Sequence, residues 1–100
     1  MSAPHRELPI TQAQELAAQG AQLVDVREAN EAAAAALEGI IHIPLGDIPA
    51  RMSELDATRT VALICRSGNR SGQAAAFLAA NGFDDVINLT GGMMALGLQS

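Results

Sequence analysis

Four short apolar runs recur along this chain, at residues 23–26, 40–43, 61–64 and 86–89, with helix-forming segments between them. Each run is too short for a helix and reads as a buried strand. Parallel strands need a long crossover connection, usually a helix, so this alternation constrains the chain to an α/β class. The expected architecture is a mostly parallel sheet with helices on both faces. In such folds, ligands bind beyond the carboxyl ends of the strands.

The intervening segments carry helix signals. Thr11 is placed to cap a helix through Gln19, with Gln14 in the capping-box position and Gly20 as the stop. Asn30 is placed to cap a second helix running to about Leu37 and ending near Gly39. The alanine run at 32–36 inside it is low in complexity but strongly helix-forming. A third helix is expected from Asp47 to about Leu55, with Pro49 acceptable in its first turn. Ser71 is placed to cap a fourth through Ala80, with Gly82 in the stop position, and Gly91-Gly92 leads into a helical turn at 93–96. No repeat or linker is visible. One hundred residues suit one domain with a single core, 1–100, of which 1–7 is expected to be a flexible N-terminal extension.

Composition excludes several function classes. The hydrophobic fraction is 49%, which argues against disorder, and Phe77 and Phe83 are the only aromatics. The stacking platforms of single-strand binders are therefore missing. A net charge of −5 disfavours nucleic acid and acidic membranes as partners. The first seven residues lack the apolar stretch of a signal peptide, and no run approaches the roughly 18 apolar residues of a membrane span. The default expectation is a cytoplasmic protein with no membrane segment in this chain. The single Cys excludes an intramolecular disulfide and a Cys-rich zinc site.

The charge is unevenly distributed. There is no Lys, and all six cations are Arg. Between Thr60 and Phe83 there is no Asp or Glu, yet Arg66 and Arg70 lie there. Cys65 opens this window at the carboxyl end of the third strand, followed by Arg66, Ser67, Gly68, Asn69, Arg70 and Ser71. Gly68 and Asn69 tolerate the backbone angles of a tight turn. Successive N–H groups of such a loop can converge as an anion nest, backed by the positive end of the following helix. Two Arg add full charges. Each factor favours thiolate over thiol, so Cys65 is the expected nucleophile and 66–71 the expected anion-binding loop. A lone Cys after an apolar strand is ordinarily a small packing residue. Packing has no use for the Arg, Gly, Asn and Arg that follow.

That loop, Cys65-Arg66-Ser67-Gly68-Asn69-Arg70-Ser71, resembles the active-site loop of single-domain rhodaneses, a family of sulfurtransferases. Leu23-Val24-Asp25-Val26-Arg27-Glu28 resembles the family's first conserved block, and Ile43-Pro44-Leu45 its end. Gly91-Gly92-Met93-Met94-Ala95 resembles the closing block, so the likeness runs from about residue 8 to 97. It implies a rhodanese-like three-layer α/β/α fold with a central, mostly parallel five-stranded sheet. It also implies that Asp25 and Arg27 brace the loop as supports and are not an acid or base. The chain departs from the family at Ala32, at Ala35-Ala36-Leu37-Glu38 and at Leu96, all packing sites in the family. His42 does not fall on the family's usual His position and reads as structural or surface.

The resemblance implies a sulfane sulfur carried as a Cys65 persulfide, with no metal and no organic cofactor. The expected partners are a small anionic sulfur donor (thiosulfate, polysulfide or persulfide) and a thiol acceptor, either a small molecule or a protein. Three other readings stand beside this one. Phosphatases of related fold place five residues between Cys and Arg, whereas four separate Cys65 from Arg70, a cradle sized for sulfur and tight for a phosphoryl group. A non-catalytic binding module commonly lacks the Cys that this chain keeps. A redox sensor is compatible with an easily oxidised thiolate.

Overall fold

A computed structural model describes residues 5–97 of the chain. Strands β1 (Arg6–Pro9), β2 (Gln22–Asp25), β3 (Ile41–His42), β4 (Val61–Ile64) and β5 (Val86–Thr90) form one sheet in the order β1-β5-β4-β2-β3. Every neighbouring pair is parallel. Helices α1 (Ala13–Ala18), α2 (Ala29–Ala34), α3 (Ile48–Arg51), α4 (Asn69–Ala80) and α5 (Gly92–Ala95) connect and cover it. The α/β class with a five-stranded parallel sheet is what forms.

The central strand shows why the apolar runs are continuous. Val61 and Leu63 of β4 pack with Ile48 of α3 and with Ala74, Ala75 and Leu78 of α4. Ala62 and Ile64 point the other way, into a second cluster with Ala13 of α1 and Met93 of α5. Alternate residues of a strand face opposite sides, and here both sides are covered, so all four are buried. The departures at Ala35, Leu37 and Leu96 pack against this second cluster as small or aliphatic fillers.

Several boundaries differ from expectation. The expected flexible extension does not include Arg6 and Glu7, which begin β1 and pair with Ile87 and Asn88 of β5. Residues 1–4 lie outside the described residues. Thr11 lies in a 3-10 turn over Ile10–Gln12, so Gln12 takes the N-cap of α1 and no Thr11–Gln14 box forms. Glu28, not Asn30, is the N-cap of α2, and its N–H donates to Glu31 Oε1 at 3.0 Å. That helix stops at Ala34, short of Leu37, because Ala35 turns extended and gives its carbonyl to Arg27. The expected 47–55 helix is three short turns, Leu45–Asp47, α3 and Met52–Glu54.

Candidate active site

β4 delivers Cys65 to the carboxyl edge of the sheet, between β2 and β5. The neighbouring strand holds that end in register, with Val26 N–H donating to Ile64 O at 2.9 Å. Cys65 is 1% exposed, whereas Arg66, Ser67 and Asn69 stand in solvent. Gly68 then turns the chain with φ +97°, a conformation that L side chains rarely adopt, and α4 begins at Asn69.

The closing block shapes the loop from behind. Met93 N–H donates to Cys65 O and Met94 N–H to Arg66 O, each at 3.0 Å. A Cβ on Gly92 would lie 2.4 Å from Arg66 O and 2.5 Å from Cys65 O, so only glycine permits this approach. With these carbonyls drawn toward α5, the loop's N–H groups are left to face the sulfur. Gly68 N–H donates to Cys65 Sγ at 3.0 Å, and Ser71 Oγ lies 3.3 Å from it.

Burial alone would push the Cys65 thiol up. Hydrogen bonds from the Ser71 hydroxyl and from the N–H groups of Ser71, Ser67 and Gly68 outweigh it and hold the thiol below its ordinary value. These local donors, more than the two Arg, favour the thiolate. Ser71 itself is not the helix cap expected of it. Gly68 takes the N-cap, and Ser71 sits in the first turn of α4, fully buried, with its hydroxyl spent on Cys65 and Asn88.

The two cations of the loop are not equivalent. Arg66 is exposed and, among the described residues, makes no ion pair. Arg70 is held by the Glu31 carboxylate of α2, with Nη1–Oε1 at 2.6 Å and Nη2–Oε2 at 2.8 Å. That pairing, with smaller help from the Glu28 N–H, brings the Glu31 carboxyl down to about 2. Asn69 is exposed at the loop mouth.

Asp25 and Arg27 form a buried bidentate pair at the end of β2, with Arg27 Nη2 2.7 Å from Asp25 Oδ2. Arg27 also donates to the carbonyls of Glu31 and Ala35. It therefore fastens α2, and through Glu31 it reaches Arg70. His42 donates from Nε2 to Arg27 O at 2.7 Å, a structural contact.

Two residues at the site escaped the sequence reading. Glu31 lay hidden in an alanine-rich helix, although its place three residues after Glu28 is a capping-box spacing. Asn88 is a lone polar residue inside the apolar run of β5, and that interruption was the available signal. It is buried, and its amide connects Ser71, Gly68 O and Glu7.

Comparison with known proteins places this geometry in context. The family model described as "Rhodanese-like domain" matches residues 10–98. A "Thiosulfate sulfurtransferase GlpE" of Pseudomonas savastanoi pv. phaseolicola is 36% identical, over 87% of this chain and 82% of its own length. A "Putative sulfur carrier protein YrkF" of Bacillus subtilis is 42% identical over 71% of this chain, and the match spans only 38% of that longer protein. Among solved structures, the human single-domain sulfurtransferase TSTD1 superposes with a TM-score of 0.76 at 26% identity, covering 98% of this chain and 99% of that one.

Proposed function

The chain belongs to the rhodanese-like domain family, and from that premise we propose that it moves a sulfane sulfur from thiosulfate or a persulfide donor to a thiol or cyanide acceptor through a Cys65 persulfide. In the first step the Cys65 thiolate attacks the outer sulfur of thiosulfate. A new S–S bond forms, the donor's S–S bond breaks, and its electron pair leaves with sulfite. In the second step cyanide or a thiolate attacks the terminal sulfur, and the electron pair of the broken bond returns to Sγ.

The observation that carries this reading is the convergence of loop donors on one buried sulfur, with Gly68 N–H at 3.0 Å and the Ser71 hydroxyl at 3.3 Å. They stabilise the attacking thiolate without a general base. Arg66, Ser67, Asn69 and Arg70 line the loop that receives the anionic donor. Asp25 and Arg27 support it by fastening α2. The four-residue spacing between Cys65 and Arg70 suits a sulfur atom better than a phosphoryl group. A cytoplasmic setting, where thiol acceptors are kept reduced, fits this chemistry.

Intact-mass measurement tests the proposal. Thiosulfate should add one sulfur atom to the wild-type chain, cyanide should remove it as thiocyanate, and Cys65→Ser should do neither. A wild-type chain that gains no sulfur from thiosulfate or from a small-molecule persulfide would instead mark a non-catalytic module.

A further inference from the structure

Ser71 Oγ stands 3.3 Å from Cys65 Sγ and 2.5 Å from Asn88 Oδ1. A hydroxyl has one proton, so the two acceptors compete for it. The Asn88 amide is held in the orientation that maintains this competition. Its Nδ2 faces Gly68 O at 3.1 Å and the Glu7 carboxylate oxygens at 3.0 and 3.2 Å. A flipped amide would set its oxygen against a carbonyl and a carboxylate. Sheet register builds the arrangement, since Asn88 lies beside Leu63 of β4 and Glu7 of β1, on the face that α4 covers. The helix leaves room for it at Gly72, where an added Cβ would lie 3.2 Å from Asn88 Nδ2.

We infer that Asn88 is a positioning residue for sulfur transfer: it is the alternate acceptor of the Ser71 proton, and the hydroxyl turns between Cys65 Sγ and Asn88 as the cysteine gains and loses sulfur. This rests on the persulfide reading above. In the unloaded state Sγ is a thiolate and draws the proton. Once sulfur is bound, the charge resides on the terminal atom, and Sγ becomes a weak acceptor. The buried hydroxyl then donates to Asn88 and is not left unsatisfied. When the acceptor attacks, the electron pair returns to Sγ, and the hydroxyl turns back to the leaving thiolate. Asn88 thus keeps the loaded state satisfied, and it takes from the unloaded thiolate part of its donor.

Of the charged groups around this unit, Glu7 touches it directly, through Asn88 Nδ2. Arg70 of α4 is paired with Glu31 of α2. Glu7 of β1 lies behind Asn88, with His5 Nε2 2.6 Å from its carboxylate. Asp25 and Arg27 at the end of β2 are paired with each other.

The test is the pH dependence of Cys65 alkylation by iodoacetamide in the wild type, Asn88→Ala, Ser71→Ala and the double variant. Of the two acceptors that Ser71 Oγ has among the described residues, removing Asn88 leaves Cys65 Sγ. The rate profile should move to lower pH, with alkylation on its acidic limb about threefold faster. In the Ser71→Ala background the same substitution should change nothing. Asn88→Leu, which fills the space, should reproduce the result and stands in where the alanine variant is unstable. An equal shift in both backgrounds, slower alkylation, or no shift overturns the inference. The readout needs no sulfur transfer, so failure of the sulfurtransferase reading would show separately, as a wild-type chain that accepts no sulfur.

Discussion

The Glu31 carboxylate of α2 clasps the Arg70 guanidinium of α4 at 2.6 and 2.8 Å, so one of the loop's two cations arrives with its own counter-ion. Its folded-state value of about 2 keeps Glu31 ionised wherever Cys65 is a thiolate. On the proposed function, a dianionic donor that binds Arg70 would have to compete with Glu31 for it.

Glu31→Gln should free Arg70 for substrate. The KM for thiosulfate should fall about three- to tenfold and become more sensitive to salt, as a charge-assisted contact requires. Steady-state kinetics across ionic strength measures this, and an unchanged KM would count against a role for Arg70 in donor binding. The same variant should alter acid unfolding. The Glu31 carboxyl lies below its ordinary 4.5, so its pairing stabilises the fold above that value and is lost as pH falls toward about 2. Acid titration of Glu31→Gln should lack this portion of the stability loss.

Gly92→Ala should disable the loop. Its Cβ would meet Arg66 O at 2.4 Å and Cys65 O at 2.5 Å, both backbone atoms, at φ +59°. The expected cost is about 2–4 kcal/mol, with loss of most sulfur transfer. Gly82→Ala is the control, because it shares the positive φ with nothing within 4 Å. It should cost only about 1 kcal/mol and keep activity. Chemical denaturation and a thiocyanate assay separate the two.

Asp25→Asn should be among the most destabilising single substitutions in the chain. It leaves the Arg27 guanidinium buried without its carboxylate, at an expected cost of about 3–5 kcal/mol. Urea unfolding of the variant measures the loss, and a cost below about 1 kcal/mol would show that Arg27 finds compensation elsewhere.

Ser71→Ala should raise the pH at which Cys65 becomes reactive. The thiol lies below its ordinary 9.0 against the opposing effect of burial, and the Ser71 hydroxyl is the foremost of the donors that lower it. Alkylation at neutral pH should slow about tenfold. Linkage has the same sign. A depressed thiol stabilises the fold above its ordinary value, and this contribution fades as pH falls through the folded-state value. The wild type should therefore gain stability over Ser71→Ala as pH rises into the alkaline range.

Local chemistry made much of the site legible. The apolar runs located β2, β3, β4 and β5 to within about a residue or two at each end, and the Cys65–Ser71 sequence placed a tight loop between β4 and a helix. β1 was not legible, because Arg6-Glu7-Leu8-Pro9 has no apolar run and ends in Pro. Backbone pairing to β5 and the Arg6–Asp85 contacts at 2.9 Å hold it, and these are long-range. The role of Ser71 was misread for a similar reason. A serine near a helix start suits a cap locally, and only the approach of Asn88 from β5 gives its hydroxyl another use.

By itself, then, the sequence determined the fold class and the tight loop that carries Cys65 from β4 into α4, since these depend on periodicity and on residues adjacent in the chain. Tertiary structure decided which charges stay free and where the Ser71 proton goes. Arg70 is neutralised by a residue 39 positions away, and Ser71 is shared with one 17 positions away. Such pairings depend on strand register and helix placement, which no local pattern encodes.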